Sequence, residues 1–122
     1  MATRSRIAIE KHDGTVNSIY CHFDGYVSNN GVLLHENYND ALVLEKLIKL
    51  GDISELGNTS KTTVAYHRDR GDTKTSKQFK NVATLFAKSE ESYIYCLTKA
   101  STWMMKEADG KVCELRQSIM AI

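Results

Sequence analysis

Proline is absent from this 122-residue chain, so every tight reversal has to be made with glycine, asparagine or aspartate. No apolar run approaches the roughly 20 residues that span a bilayer, and the opening "MATRSRIAIEKHDG" meets charge before a signal-peptide core can form. A cytoplasmic protein is expected. An excess of one charge is also lacking, because 16 Lys and Arg stand against 15 Asp and Glu, for a formal +1. That gives no electrostatic reason to expect duplex nucleic acid or an anionic membrane as partner.

Cysteine is scarce. Cys21, Cys96 and Cys113 are odd in number and far apart, which argues against a disulfide framework. They read as small buried apolar residues. No two His or Cys fall at the short paired spacings of a structural zinc site. No G-x-S-x-G elbow presents a nucleophilic serine, so Ser5, Ser18 and Ser28 have no support as nucleophiles. Low-complexity tracts and solenoid-length repeats are missing as well. Neither a metal, a cofactor nor a covalent catalytic group is expected.

What is present is enough apolar sequence, 42% of the residues, for one core and a single domain over residues 1–122. "RIAIEKHDGTVNSIYCHF" has two β-rich runs around Asp13-Gly14, a hairpin signal. A two-residue loop would set Ile9 against Ser18, Ile7 against Tyr20, Ser5 against His22, Ala8 against Ile19 and Arg6 against Cys21. Apolar groups on both faces make the second strand a central one. "DGYVSNNGVLLHENY" reads as an ordered loop leading into a helix.

In "NYNDALVLEKLIKLG", Asn37 or Asn39 is expected to cap an amphipathic helix with a stripe of Ala41, Leu44, Leu47 and Ile48, ended by Gly51. "KTTVAYH" predicts a third strand followed by a charged loop, "RDRGD". Residues 74–88 show helical spacing of Phe79, Val82 or Ala83, and Phe86, whereas "SYIYCLT" and "STWMMKE" predict strands. "DGKVCELRQSIMAI" fits strand or helix. The expected class is α+β, a mainly antiparallel sheet with an N-terminal β-hairpin and one or two packed helices.

Two places have the residue types for chemistry. The first is the end of the second strand, where Tyr20, Phe23 and Tyr26 offer flat faces to a purine and His22, Asn29 and Asn30 offer hydrogen-bonding edges. His22 with Asp24 would suit general acid–base work, but side chains two apart on a strand stand roughly 7 Å apart and would pair only if the strand ended or kinked there. The second is "YHRDRGD", residues 66–72. Its His-Arg-Asp triplet occurs in kinase catalytic loops, but the downstream Asn and the glycine-rich loop are missing. Arg70-Gly71-Asp72 matches an adhesion tripeptide that a cytoplasmic protein cannot use. Arg68 and Arg70 can each present a planar donor fork to phosphate oxygens; the competing reading is a solvated charged turn.

Taken together, "SIYCHFDGY", "NNGVLLHENY", "LIKLGDISELG" and "TVAYHRDRGD" resemble, in that order and across roughly residues 5 to 72, the first family of phage Thoeris anti-defence proteins. Members of that family are sponges that bind and sequester a cyclic ADP-ribose-type immune signal. The family usually has Trp where this chain has Phe23, and the connection between "LGDISELG" and "TVAYHRDRG" is short here. The resemblance implies binding without cleavage, a homo-oligomer built from dimers, and in some members separate sites for cyclic oligonucleotides. Beyond Asp72 no motif matches. The expected ligand-binding residues are His22, Phe23, Asp24, Tyr26, Asn30, Arg68 and Arg70. A nucleotide phosphodiesterase or hydrolase using His22 and Asp24, with His67 as a further candidate, and a phage inhibitor that binds a host protein are the alternatives.

Overall fold

The N-terminal hairpin forms: β1 (Ser5–Glu10) pairs antiparallel with β2 (Val16–Cys21) in the computed structural model, which describes residues 2–122. Its loop has three residues, not two. The Lys11 N–H donates to the Thr15 carbonyl at 2.8 Å and the Gly14 N–H to the Lys11 carbonyl at 2.9 Å, with Gly14 at φ +87°. This is the three-residue hairpin connection, a turn followed by one left-handed residue.

The expected register is therefore off by one. Ile7 faces Ile19, Ala8 faces Ser18 and Arg6 faces Tyr20. A one-residue slip exchanges the faces of one strand relative to its neighbour. Ile7, Ile9, Ile19 and Cys21 consequently share a buried face, while Tyr20 turns to the other face beside Arg6.

Two later hairpins repeat the same loop. Between β6 (Tyr93–Leu97) and β7 (Trp103–Lys106), the Thr98 N–H donates to the Thr102 carbonyl at 2.9 Å and the Ser101 N–H to the Thr98 carbonyl at 2.8 Å. Between β7 and β8 (Val112–Glu114), the Glu107 N–H donates to the Lys111 carbonyl at 2.8 Å and the Gly110 N–H to the Glu107 carbonyl at 2.9 Å. The left-handed position is Gly110 at φ +90° in one and Ser101 at φ +61° in the other.

One sheet runs through the molecule in the order β4-β3-β2-β1-β6-β7-β8, with β5 (Lys77–Phe79) also paired to β2. β3 (Ile53–Glu55) lies parallel to β2 and β6 parallel to β1; the remaining pairs, including β3 with β4 (Val64–Ala65), are antiparallel. The fold is α+β with a mainly antiparallel sheet. β2 is an interior strand, as its two apolar faces predict.

Instead of one or two helices there are five short ones among the described residues: α1 (Val32–Asn37), α2 (Ala41–Ile48), α3 (Tyr66–Arg70), α4 (Val82–Lys88) and α5 (Leu115–Met120). α1, α2 and α5 supply Leu34, Leu44, Leu47, Ile48 and Leu115 to the core on the Ile7 face. α4 and β5 cover Ala8, Val16, Ile94 and Cys96 on the other with Leu85 and Phe79. Truncating one fully buried leucine such as Leu47 to alanine costs about 3 kcal/mol.

Several local expectations are corrected. α2 is capped by Asp40, whose carboxylate accepts the Leu42 N–H at 2.8 Å, while Asn39 is occupied with the His35 carbonyl. Its end at Gly51, φ +78°, is as expected. The "KTTVAYH" strand shrinks to Val64–Ala65, and "RDRGD" is no loop, because Tyr66–Arg70 is helical. Residues 77–79 extend the sheet edge above the point where β3 leaves β2, so the helix starts only at Val82, capped by Asn81. The loop expected after Asp24 is a π-helical turn, Val27–Gly31, that runs straight into α1. The undecided C-terminal piece is both strand and helix.

Candidate functional site

β2 changes partners halfway along. Val16–Ser18 pair with β5, whereas Cys21 pairs with β3. Between them the Tyr20 N–H has no strand partner and donates to Asp52 Oδ1 at 2.9 Å. The main-chain carbonyl of the same Asp52 accepts the Tyr66 N–H at 3.3 Å. One aspartate thus anchors both tyrosines. Burial pushes the Asp52 carboxyl above its ordinary value, against the opposing effect of the Tyr20 amide.

Side chains follow from that frame. Tyr20 and His22, two apart, point to the same side, and the Tyr20 hydroxyl lies 2.6 Å from His22 Nδ1. The His22 ring meets Phe23 edge to face at 4.6 Å and 80°. Phe23 is 42% exposed, a large apolar face left to solvent. On the other side of Asp52, Tyr66 carries the Arg70 guanidinium over its ring at 5.3 Å, the i,i+4 spacing of α3. Burial raises the Tyr20 phenol above its ordinary value, with Arg4 and Tyr66 both close enough to act on its charge.

The remaining predicted residues are placed differently. Asp24 adopts φ +59° and its carbonyl accepts the Asn30 N–H at 3.2 Å. Gly25 lies so close to the N-terminal segment that a Cβ there would sit 2.7 Å from the Thr3 carbonyl oxygen, and its own carbonyl accepts the Tyr95 hydroxyl at 2.7 Å. This pins the segment to the core. Asn30 is fully buried, donating to Ser5 Oγ at 3.1 Å and to Cys21 Sγ at 3.3 Å while accepting from Asn29 at 3.0 Å. Its amide braces the turn and has nothing left to offer a ligand. His22 pairs with Tyr20 and not with Asp24, whose Oδ1 accepts the Tyr26 hydroxyl at 3.4 Å.

Arg68 and Arg70 are not equivalent. Arg68 donates from Nε and Nη2 to the two Asp69 oxygens at 3.0 Å, from Nη1 to the Ser60 carbonyl at 2.8 Å, and from Nη2 also to the Thr63 carbonyl. Asp69 in turn accepts the Ala65 N–H at 2.8 Å. The Asp69 hydrogen bond holds Arg68 charged, and the Arg68 hydrogen bond holds the Asp69 carboxyl below the usual carboxylate range. This pair clamps the 59–65 connection to α3 and leaves no open fork for phosphate. The Arg70 guanidinium, stacked and exposed, does remain open.

Of five clefts on the surface of the described residues, one includes Tyr26, and none of these five includes His22, Phe23, Asp24, Asn30, Arg68 or Arg70. The Tyr20–Phe23 and Tyr66–Arg70 groups form an open surface of aromatic planes beside the Arg70 guanidinium, with exposed Arg4 also near Tyr20. Such a surface stacks a base and pairs an anion. Among the described residues no three His, Cys, Asp or Glu side chains gather to hold a metal. The cysteines are unbonded, and burial pushes the thiols of Cys21 and Cys96 up to about 11 and about 12. Among the described residues no helix is long and apolar enough to cross a membrane.

Sequence reasoning missed Tyr66 and Asp52. Tyr66 and Arg70 are four apart, a signal that becomes readable only if 66–70 is taken as helix. Nothing in the sequence marks Asp52 as the bridge, since that role arises where β2 changes partners. No protein-family profile, curated protein sequence or solved structure matches this chain.

Proposed function

We propose that this chain is a binding protein, not an enzyme, and that it sequesters a cyclic ADP-ribose-type signalling nucleotide intact as a phage anti-defence sponge. The resemblance of residues 5–72 to the Thoeris anti-defence family supplies the ligand class. The observation that carries the reading is the pairing, through Asp52, of the Tyr20–His22–Phe23 rings with the Tyr66–Arg70 stack. A purine stacks on the exposed Phe23 ring, with His22, held edge to face against it, at hand for a hydrogen bond, and a phosphate meets the Arg70 guanidinium. Tight holding needs no group to attack or protonate the ligand.

In this reading Arg68, Asp24 and Asn30 shape the surface, and Arg70, His22 and Phe23 touch the nucleotide. A surface this open gains enclosure from a second copy of the chain, in keeping with the homo-oligomer of dimers that the resemblance implies. Cyclic oligonucleotides are further candidate ligands on the same ground.

A thermal-shift screen of cyclic ADP-ribose isomers and cyclic oligonucleotides tests the proposal. A ligand at a thousandfold excess over Kd adds about 4 kcal/mol of stability, a rise in Tm that Arg70→Ala should reduce. A flat response to every nucleotide, with capture of one host protein, would favour the inhibitor reading. Turnover lost in His22→Ala with the fold intact would favour the hydrolase.

A further inference from the structure

We propose that the cleft beside Tyr26 is a second site, one that binds a small organic polyamine through two carboxylates and two aromatic walls. The cleft, about 500 Å³, lies between the π-helical turn, the start of β6, the β7–β8 loop and α5. Tyr26 and Tyr93 contribute rings, Glu107 and Asp109 contribute carboxylates, and Ser28 and Ser118 contribute hydroxyls. No lysine, arginine or histidine lines it. Its charge is therefore opposite to that of the Arg70 surface.

Both carboxylates are held in place with capacity to spare. Ser118 donates its hydroxyl to Glu107 Oε1 at 3.1 Å, and Asp109 Oδ1 accepts the Lys111 N–H at 2.9 Å within the hairpin loop. Among the described residues neither has an ion-pair partner, and Oε2 and Oδ2 accept no hydrogen bond. Tyr93 is stiffened by Tyr95, stacked at 6.5 Å and 9°, and Tyr26 is 39% exposed at the rim. Alkylammonium groups suit such a cleft, because aromatic faces attract them and carboxylates accept their three N–H donors. Val27 and Ala108 supply apolar contact for the methylene chain between two ammonium groups. An anion or a nucleotide phosphate would be repelled.

Isothermal titration of the intact protein with putrescine and with spermidine tests this site. Glu107→Gln and Asp109→Asn keep the oxygens that accept from Ser118 and Lys111, so they remove charge without removing these internal bonds. The proposal expects saturable binding of one amine per chain, a Kd raised about tenfold by Glu107→Gln, a weaker Kd in Tyr26→Leu, and no change in Arg70→Ala. It is overturned if no amine binds saturably at millimolar concentration, or if Glu107→Gln binds as tightly as the parent. It is equally overturned if magnesium at matched ionic strength displaces the amine while Tyr26→Leu has no effect, since that describes a diffuse negative patch.

Discussion

Tyr20 and Tyr66 hang from a single residue: the Tyr20 amide donates to the Asp52 carboxylate at 2.9 Å, and the Tyr66 amide to the Asp52 carbonyl at 3.3 Å. Residues 46 positions apart in sequence thereby become neighbours on one surface. Asp52 sits where β2 passes from β5 to β3, so its side chain takes the place of a strand partner.

The two arginines of "RDRGD" should separate cleanly. Arg70→Ala is expected to weaken nucleotide binding about tenfold with Tm unchanged, because the lost group is a charge-assisted donor on the surface. Arg68→Ala should lower Tm by releasing the Ser60 and Thr63 carbonyls, and leave the Kd of the folded protein close to the parent's. Calorimetric titration and thermal melts on both variants check the split; equal losses of affinity would count against it.

Ser101 occupies, at φ +61°, the position that glycine holds in the other two hairpin loops. Left-handed backbone costs a side-chain-bearing residue about 1 kcal/mol or more, partly offset by the extra unfolded-state entropy of glycine. Ser101→Gly should raise stability by about 0.5 kcal/mol, and Gly14→Ala, where a Cβ would meet nothing within 4 Å, should lower it by about 1 kcal/mol. Urea denaturation of both variants measures these as shifts in midpoint at constant slope.

Acid stability depends on Arg6 and Glu91, paired at 3.0 Å with side chains 10% and 14% exposed. Burial opposes the Glu91 charge, but the Arg6 hydrogen bonds and charge prevail and hold its carboxyl below the ordinary value of 4.5. The native state therefore binds fewer protons here than the unfolded chain. The contribution is present above about pH 4.5 and fades as pH falls through the lower native value. Glu91→Gln should cost about 3 kcal/mol at neutral pH and flatten the acid limb of the stability curve. Asp52 has the opposite sign: its raised value means that stability falls as pH rises from about 3.8 through the native value. Asp52→Asn, which keeps an oxygen for the Tyr20 amide, should remove that fall.

Asn30→Ala should reduce stability by about 2 kcal/mol and affect binding only through the folded fraction. Its partners Ser5 and Cys21 would lose a buried donor. A Kd unchanged for the folded protein, measured well below Tm, is the expected result.

The N-terminal hairpin and the amphipathic helix are readable because their signals are local: the β-rich runs around Asp13-Gly14 and the Leu44–Leu47–Ile48 stripe; the β3 and β5 pairings, in segments without such a signal, are not. The register was not local. A two-residue and a three-residue loop both accept Asp-Gly, and only packing of Ile7 on Ile19 decides between them. The same limit applied to the site. Phe23 and Arg70 stood out by residue type, but Arg68 differs from Arg70 only through carbonyls of a connection folded back on it. Asn30 looked like a loop residue because the π-helical turn carries no side-chain cap to announce it.

Recovery of the ligand tests sequestration most directly. The protein is saturated with a cyclic ADP-ribose isomer that shifts its Tm, separated from free ligand, and heat-denatured, and the released nucleotide is identified. Stoichiometric return of the intact cyclic nucleotide is the predicted result. Linear or hydrolysed product, or no nucleotide carried through the separation, would contradict the account.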